Sequence, residues 1–138
     1  MSKKFKNPHS TKQGKNVKVD PEKRAPDLNY PVFCFKHLHR DYCLAQCDKD
    51  DKQSLVDQLY NLSQLSWDQI NVSHRHGLGF EKIDRGSLNA QCPAFVTADV
   101  SYLNAFRFNG RKPFLGFRNS FVFHIIFIDY NFSVYDHG

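Results

Sequence analysis

The amino-acid sequence predicts an α+β fold, in which an antiparallel sheet of about four strands packs against an N-terminal pair of helices. Two observations lead to this prediction. Apolar residues recur at the spacing of a helix face within residues 48–73, and three strand-like apolar runs joined by two short turns follow residue 101. With 138 residues, of which 41% are hydrophobic, the chain has room for one packed domain.

Basic residues are concentrated at the start of the chain. Residues 1–30 contain eight Lys or Arg and three Asp or Glu, whereas residues 31–138 contain eleven of each kind. Residues 1–29 are also poor in apolar side chains, so we expect a disordered basic arm there and a single domain over residues 30–138. No apolar run approaches the roughly 18 residues of a membrane span, and none follows the basic start as in a secretory signal. The expected location is the cytoplasm, without a membrane partner.

The first half of this domain predicts one strand followed by two helices. The run PVFCFKHL is a strand candidate, because proline suits the first position of a strand. Leu55 and Leu62 share one face of the next predicted helix, which begins after acidic residues that favour a helix N-terminus. Ser66 and Gln69 have the spacing of a capping box and predict a second, short helix.

The C-terminal part of the chain predicts three antiparallel strands. Asn109-Gly110 is the strongest hairpin signal in the sequence, because both residue types tolerate a positive φ. Asn119-Ser120 predicts the second turn. The third strand is apolar on both faces and should therefore lie inside the sheet. The predicted strands are Tyr102–Phe108, Phe114–Arg118 and Phe121–Ile128.

Residues that could cleave RNA are concentrated in this predicted sheet. The reaction needs a base for the 2′-hydroxyl, cations for the phosphorane charge and an acid for the leaving oxygen. Arg107 and Arg118 are expected on one face of the hairpin, as a phosphate clamp. Tyr135 and His137 are the acid–base candidates near the C-terminus. His124, within the third strand, is either a core histidine or a catalytic imidazole.

Further contacts to RNA are expected at two loops. Arg111 and Lys112 follow the hairpin turn and should face solvent. A basic cluster in a glycine-flanked loop either contacts RNA or is simply exposed. Its members are His74, Arg75 and His76. Glu81, the only Glu in residues 31–138, follows this loop and could act as a general base if the loop folds over the sheet.

The four cysteines of the chain include no CxxC pair and lack the tight spacing of zinc sites. We therefore expect reduced thiols, no bound metal and no cofactor. The alternative is a metal-dependent nuclease, whose metal site would be built around Cys43 and Cys47 with His37 and His39.

The order of these elements resembles the RelE/ParE-like toxin superfamily of type II toxin–antitoxin systems. The resemblance covers roughly residues 31–138 and is carried by PVFCFKHL, by DDKQSLVDQLYNLSQLSWDQI, and by AFRFNGRKPFLGFRNSFVFHIIFID followed by FSVYDHG. Many members are mRNA endonucleases that depend on the ribosome. The resemblance implies metal-independent attack of the 2′-hydroxyl on the adjacent phosphate. The implied partners are mRNA, on or off the ribosome, and a cognate antitoxin protein.

The resemblance also implies roles for individual residues. The matching positions are Arg107 and Arg118 for the phosphate, Tyr135 and His137 for acid–base catalysis, and Glu81 as a further catalytic group. A second hypothesis is a binding module without catalysis, in which the sheet binds a protein partner and the basic arm adds affinity for nucleic acid. Cleavage of RNA distinguishes the two.

Overall fold

The computed structural model describes residues 29–74 and 77–137, which form a five-stranded sheet and two helices. The strands are β1 (Val32–Cys34), β2 (Glu81–Asp84), β3 (Tyr102–Asn109), β4 (Lys112–Asn119) and β5 (Val122–Ile128). The helices are α1 (Lys49–Ser63) and α2 (Trp67–Asn71), and short 3-10 turns span Leu44–Gln46 and Arg85–Ser87. The predicted arm, apart from Asn29, lies outside the described residues, as do Arg75 and His76 of the basic cluster.

The α+β class is confirmed, but the prediction of about four antiparallel strands is wrong in two respects. The sheet has five strands in the order β1-β5-β4-β3-β2, and β1 pairs parallel to β5, with Val32 opposite Val122. The remaining neighbours are antiparallel. Apolar composition marks a strand but not the direction in which it pairs. Here the long connection between β1 and β5 permits the parallel pairing, which a tight turn cannot make.

The predicted helix pair is confirmed in part: two helices, α1 and the five-residue α2, follow β1 and pack on one face of the sheet. The Asp48 side chain caps α1 by accepting a hydrogen bond from the Asp51 N–H. The predicted capping box of α2 is present, since the Ser66 hydroxyl accepts from the Gln69 N–H and the Gln69 side chain accepts from the Ser66 N–H. Both helices therefore begin where side chains satisfy their first N–H groups. No helix among residues 29–74 and 77–137 is long and apolar enough to cross a membrane.

The sheet has a hydrophobic core on each face. On the helix side, Phe106, Phe114 and Phe123 pack together, with ring centroids 5.2–6.0 Å apart, beneath residues such as Leu55 and Leu62. The other face is covered without helices, by the connection over residues 88–100 and by residues 134–135. Its buried residues are Ile83, Val96, Leu103, Ala105, Leu115, Ile126, Phe127, Val134 and Tyr135. Burial on both faces explains why β5 is apolar except for His124, and its predicted interior position is confirmed.

The Arg85 side chain holds the connection over the second face. Its guanidinium donates hydrogen bonds to the carbonyl oxygens of Val96, Thr97 and Val100. Three carbonyls that no strand or helix pairs are thereby satisfied by one planar donor. This cationic side chain therefore has a structural role in the folded domain.

The predicted hairpin between β3 and β4 contains an additional feature, a β-bulge. Asn109 pairs with Lys112 and Arg107 pairs with Pro113, so Phe108 has no partner across the hairpin. Gly110 adopts φ 60°, and Asn109 does not have the positive φ that its residue type allows. Because of the inserted residue, Phe108 and Asn109 both lie on the helix side, where Phe108 joins the core and Asn109 bonds to α1.

An ion pair ties this hairpin to the start of α1. The buried carboxylate of Asp51 accepts hydrogen bonds from Lys112 Nζ and Asn109 Nδ2, each at 2.9 Å. Burial alone would raise the pKa of the Asp51 carboxyl, but the bonds from Lys112 and Asn109 outweigh burial and hold this pKa below its ordinary value. The bond to Asp51 in turn raises the pKa of the Lys112 ammonium.

Replacing Asp51 with Asn should lower the free energy of unfolding by about 1–3 kcal/mol at neutral pH, because a charged hydrogen-bond acceptor is lost. The pKa of Asp51 is lower in the folded state, so its stabilisation is present above the ordinary Asp value of about 4 and is lost as the pH falls through the folded value. Urea denaturation should therefore show the difference between wild type and Asp51→Asn shrinking below about pH 4.

The matched control is Asp57→Asn, since Asp57 is exposed on the same helix. That variant should stay within about 0.5 kcal/mol of wild type. A stability difference for Asp51→Asn that is the same in acid as at neutral pH would contradict the assignment.

Gly116 lets the backbones of β4 and β5 approach each other closely. Gly116 pairs with Ile125 and Leu115 pairs with Phe127, so Ile126 is an inserted residue in β5. A Cβ atom at Gly116 would overlap the carbonyl oxygen of His124. Only glycine lets the two backbones approach at this bulge.

Gly116→Ala should therefore destabilise the domain by about 3 kcal/mol or more, at the upper end of overpacking effects, as measured by urea denaturation. Gly110→Ala is the control, because a Cβ there meets no atom within 4 Å and only the positive φ is unfavourable. It should cost about 1 kcal/mol. Equal losses for the two variants would show that the close approach is not the constraint.

Candidate functional site

A cavity of about 380 Å³ opens on the face of the sheet that the helices do not cover. Its walls come from β2, β3, the β3–β4 turn and the C-terminal segment. The lining residues are Glu81, Ala105, Arg107, Arg111, Pro113, Phe132, Tyr135, Asp136 and His137. Five of the residues predicted from the sequence to act on RNA therefore lie around one cavity, although the chain separates the first from the last by more than 50 positions.

The pairing of the strands positions the charged side chains of the sheet wall. Glu81 pairs with Ala105 across β2 and β3, so the two share a face. Arg107 lies two residues beyond Ala105 on the same face, because side chains alternate along a strand. The hairpin turn at Gly110 then places the exposed Arg111 at the end of this wall.

His137 is held by a buried carboxylate. The Nε2 atom of His137 lies 2.8 Å from Oδ2 of Asp129, which is fully buried at the end of β5. The other oxygen of Asp129 accepts the N–H groups of Ser133 at 2.8 Å and Val134 at 3.2 Å. The carboxylate thus binds both the backbone of the C-terminal segment and the imidazole.

This arrangement selects the tautomer of His137. A neutral imidazole that donates its Nε2–H to the Asp129 carboxylate keeps a lone pair on Nδ1. With this lone pair, His137 can accept a proton from a group bound in the cavity. Asp129 and His137 together form an acid–base pair at the wall of the cavity.

Aromatic rings fix the imidazole from two sides. The Tyr135 ring stacks on the His137 ring with centroids 3.9 Å apart and an interplanar angle of 29°. The Phe132 ring meets His137 edge-on, at 5.1 Å and 89°. Tyr135 is itself buried and forms a β-bridge with Leu88 of the covering connection. The position of His137 is therefore set by packing as well as by its hydrogen bond.

Arg118 does not share a face with Arg107, contrary to the expectation of a common phosphate clamp. Without a bulge, the pairing of Asn109 with Lys112 would place Arg118 on the face of Arg107. The bulge at Phe108 shifts the register by one residue, and a shift of one residue exchanges the two faces. The Arg118 guanidinium lies instead over the Trp67 ring, 4.4 Å from its centroid, on the helix side. It lines a separate cavity there.

Two other residues predicted to contact RNA, Lys112 and His74, also lie away from the cavity. Lys112 does not face solvent as expected, because the same bulge directs it to the ion pair with Asp51. His74 is exposed and accepts hydrogen bonds at its carbonyl oxygen from the N–H groups of Gly77 and Gly79. It is not among the residues that line the cavity. Arg75 and His76 lie outside the described residues, so that part of the predicted cluster stays a prediction.

His124 lies in an aromatic group away from the cavity. Its ring is 4.9 Å from Phe95 and 5.4 Å from Phe117, and His37 stacks on Phe95 at 3.5 Å. Burial, and then the charge of His37, lower the pKa of His124. His124 is thus partly buried and does not line the cavity, but its Nδ1 is buried without a hydrogen-bond partner, so the choice between the two alternatives stays a prediction.

The residues of the alternative metal site, Cys43 and Cys47 with His37 and His39, do not form a metal-binding cluster. The thiol of Cys43 bonds to the carbonyl of Arg40, and that of Cys47 bonds to the carbonyl of Cys43. Burial raises the pKa of the Cys47 thiol. Among residues 29–74 and 77–137, no three His, Cys, Asp or Glu side chains are grouped so that they could hold a metal ion.

Sequence reasoning missed Asp129 and Phe132, both of which contact His137. Asp129 directly follows the most apolar run of the chain, and a carboxylate at the end of a buried strand is a signal that could have indicated it. No sequence signal indicates Phe132, since an aromatic residue near a chain end has many ordinary explanations. Both depend on how the C-terminal segment folds back over the sheet.

Comparison with known proteins identifies no relative. No family model, curated protein or solved structure matches this chain. The resemblance to RelE/ParE-like toxins therefore stays a prediction from the pattern of the sequence.

Asp129→Ala should release the C-terminal segment, because one carboxylate accepts all three hydrogen bonds. We expect a loss of about 2–4 kcal/mol in the free energy of unfolding. Hydrogen exchange at the Ser133 and Val134 amides should also become much faster. Asp129→Asn is the matched variant, since its amide oxygen can still accept the two backbone N–H groups. Unchanged protection of these amides in Asp129→Ala would contradict the role of the carboxylate.

Proposed function

We propose that this protein is an endoribonuclease of the type II toxin class. The observation that supports the proposal is the Asp129–His137 pair, which lies beside Arg107 and Arg111 around one open cavity. A proton acceptor and two cations in one cavity supply the base and the charge stabilisation that cleavage of RNA through its own 2′-hydroxyl requires. The similarity of the element order to RelE/ParE-like toxins supports the same activity.

In the proposed reaction, Nδ1 of His137 takes the proton of the 2′-hydroxyl. The 2′-oxygen then attacks the adjacent phosphorus, and the bond from phosphorus to the 5′-oxygen of the next nucleotide breaks. The Tyr135 hydroxyl gives a proton to that leaving oxygen. The products are a 2′,3′-cyclic phosphate and a 5′-hydroxyl, and no co-reactant is consumed. Glu81, which also lines the cavity, is a further carboxylate that could move a proton there.

The cations have a distinct part in this scheme. Charge accumulates on the non-bridging oxygens as the 2′-oxygen attacks, and positioned guanidinium groups stabilise it. Arg107 is half-buried on the sheet and Arg111 is exposed at the rim, so one is held firmly and the other can reach outward. In this proposal the pair Arg107 and Arg111 replaces the predicted pair of Arg107 and Arg118.

The proposed partners follow from this class. The substrate is mRNA, on or off the ribosome, and a cognate antitoxin would cover the cavity and its basic rim. We place the activity in the cytoplasm, where translated mRNA is found. The basic arm would add salt-sensitive affinity for RNA.

His137→Ala should lower the rate of RNA cleavage by about 10²–10⁴-fold, because the general base is removed. Arg107→Ala should lower it by about 10²–10³-fold, because a cation facing the transition state is removed. The assay uses purified protein with single-stranded RNA, first alone in the presence of EDTA and then in a translating extract that keeps its Mg²⁺. Mass spectrometry should identify 2′,3′-cyclic phosphate ends, and a 2′-deoxy nucleotide at the cleavage position should block the reaction.

Arg118→Ala is the matched arginine variant and should cleave RNA at close to the wild-type rate, since this side chain lies over Trp67 on the other face. Absence of cleavage by the wild-type chain in both assays would overturn the proposal. Salt-sensitive RNA binding without cleavage, lost on deletion of residues 1–29, would favour the binding module instead.

A further inference from the structure

Phe132 is an exposed aromatic side chain at the edge of the cavity. It is 43% exposed, whereas Tyr135, the other aromatic residue of the lining, is 8% exposed. An exposed phenylalanine gains little from burial, so the core does not explain its position. Its ring lies edge-on to the imidazole of His137, next to the proposed chemistry.

The backbone at Phe132 is held in an unfavourable conformation. Its φ is 58°, a left-handed value that is rare for a bulky side chain. The conformation is imposed by its neighbours, because Asp129 accepts the N–H groups of Ser133 and Val134, and the Ser133 hydroxyl is 2.9 Å from the Tyr42 hydroxyl. Strained residues that the surrounding structure over-determines are concentrated at functional sites.

The same carboxylate therefore positions two groups at once. Asp129 holds His137 through one oxygen and the turn that carries Phe132 through the other. The geometry between the imidazole and the aromatic ring is consequently fixed, as a site that aligns a substrate with a base requires.

We propose that Phe132 is a stacking platform for the nucleobase next to the scissile phosphate. Every base has a π-face that can stack on an exposed ring, whereas a base inside a duplex is already stacked on both sides. Phe132 thus restricts the site to RNA with an unpaired nucleotide at the cleavage position. The inference rests on the proposed function, since it names the substrate class of the same cavity.

Binding is tested first, without chemistry. The probe is a short single-stranded RNA in which the cleavage-site nucleotide is 2-aminopurine with a 2′-O-methyl group, which cannot be cleaved. Wild type should quench the fluorescence by stacking. Phe132→Ala should abolish the quench and weaken binding by about 10- to 100-fold, the effect expected for one lost stack. Phe132→Trp should restore both, and Phe35→Ala, which removes a similarly exposed ring outside the cavity, should bind as wild type does.

The variant Phe132→Gly distinguishes a stacking role of Phe132 from a purely structural one. Phe132→Gly relieves the unfavourable φ, so its melting temperature should be equal to or higher than that of wild type while the quench is lost. A lower melting temperature together with unchanged binding would overturn the inference.

Cleavage then separates this inference from the proposed function. Phe132→Ala should raise KM by about 10- to 100-fold with little change in kcat. An abasic substrate should give wild type the same defect, with no further loss in the variant. Equal cleavage of duplex and single-stranded RNA, or an abasic penalty unaffected by Phe132→Ala, would overturn the platform while leaving the nuclease intact. Quenching that depends on Phe132 in a protein that cleaves no RNA would overturn the nuclease and keep the platform.

Discussion

The register of the β3–β4 hairpin is the constraint on which the rest of the structure depends. The bulge at Phe108 places Lys112 on the helix side, where it pairs with Asp51 and ties α1 to the sheet. The same bulge puts Arg107 in the cavity and Arg118 over the helix side. One inserted residue therefore decides which cations stabilise the fold and which surround the candidate site, because a shift of one residue exchanges the faces of a strand.

The face without helices shows how a small domain can build a site from connections. Irregular segments cover this side of the sheet, and two charged side chains satisfy their backbone groups. The partly buried Arg85 binds the carbonyls of one connection, and the buried Asp129 binds the N–H groups of the C-terminal segment. The same interaction that anchors the segment orients His137. The Asp129 carboxylate therefore determines both the stability of the C-terminal segment and the geometry of the acid–base pair.

Local signals predicted much of the fold and part of the candidate site. The capping box at Ser66, the turn at Gly110 and the interior position of β5 were readable because each depends on neighbouring residues or on composition. The grouping of Arg107 with His137 followed from the predicted strand and from the resemblance. The separation of Arg118 from that group did not follow, because no local pattern at Phe108 announces a bulge.

By itself, the sequence determined an α+β chain with two capped helices, a C-terminal hairpin sheet and reactive side chains concentrated toward its end. Only the tertiary structure decided that β1 pairs parallel to β5, which face each cation occupies, and that Asp129 is the partner of His137. The physical reason is the range of the interactions. Caps, turns and apolar periodicity act over a few residues, whereas strand direction, register and the burial of a carboxylate depend on segments that meet only in the folded chain.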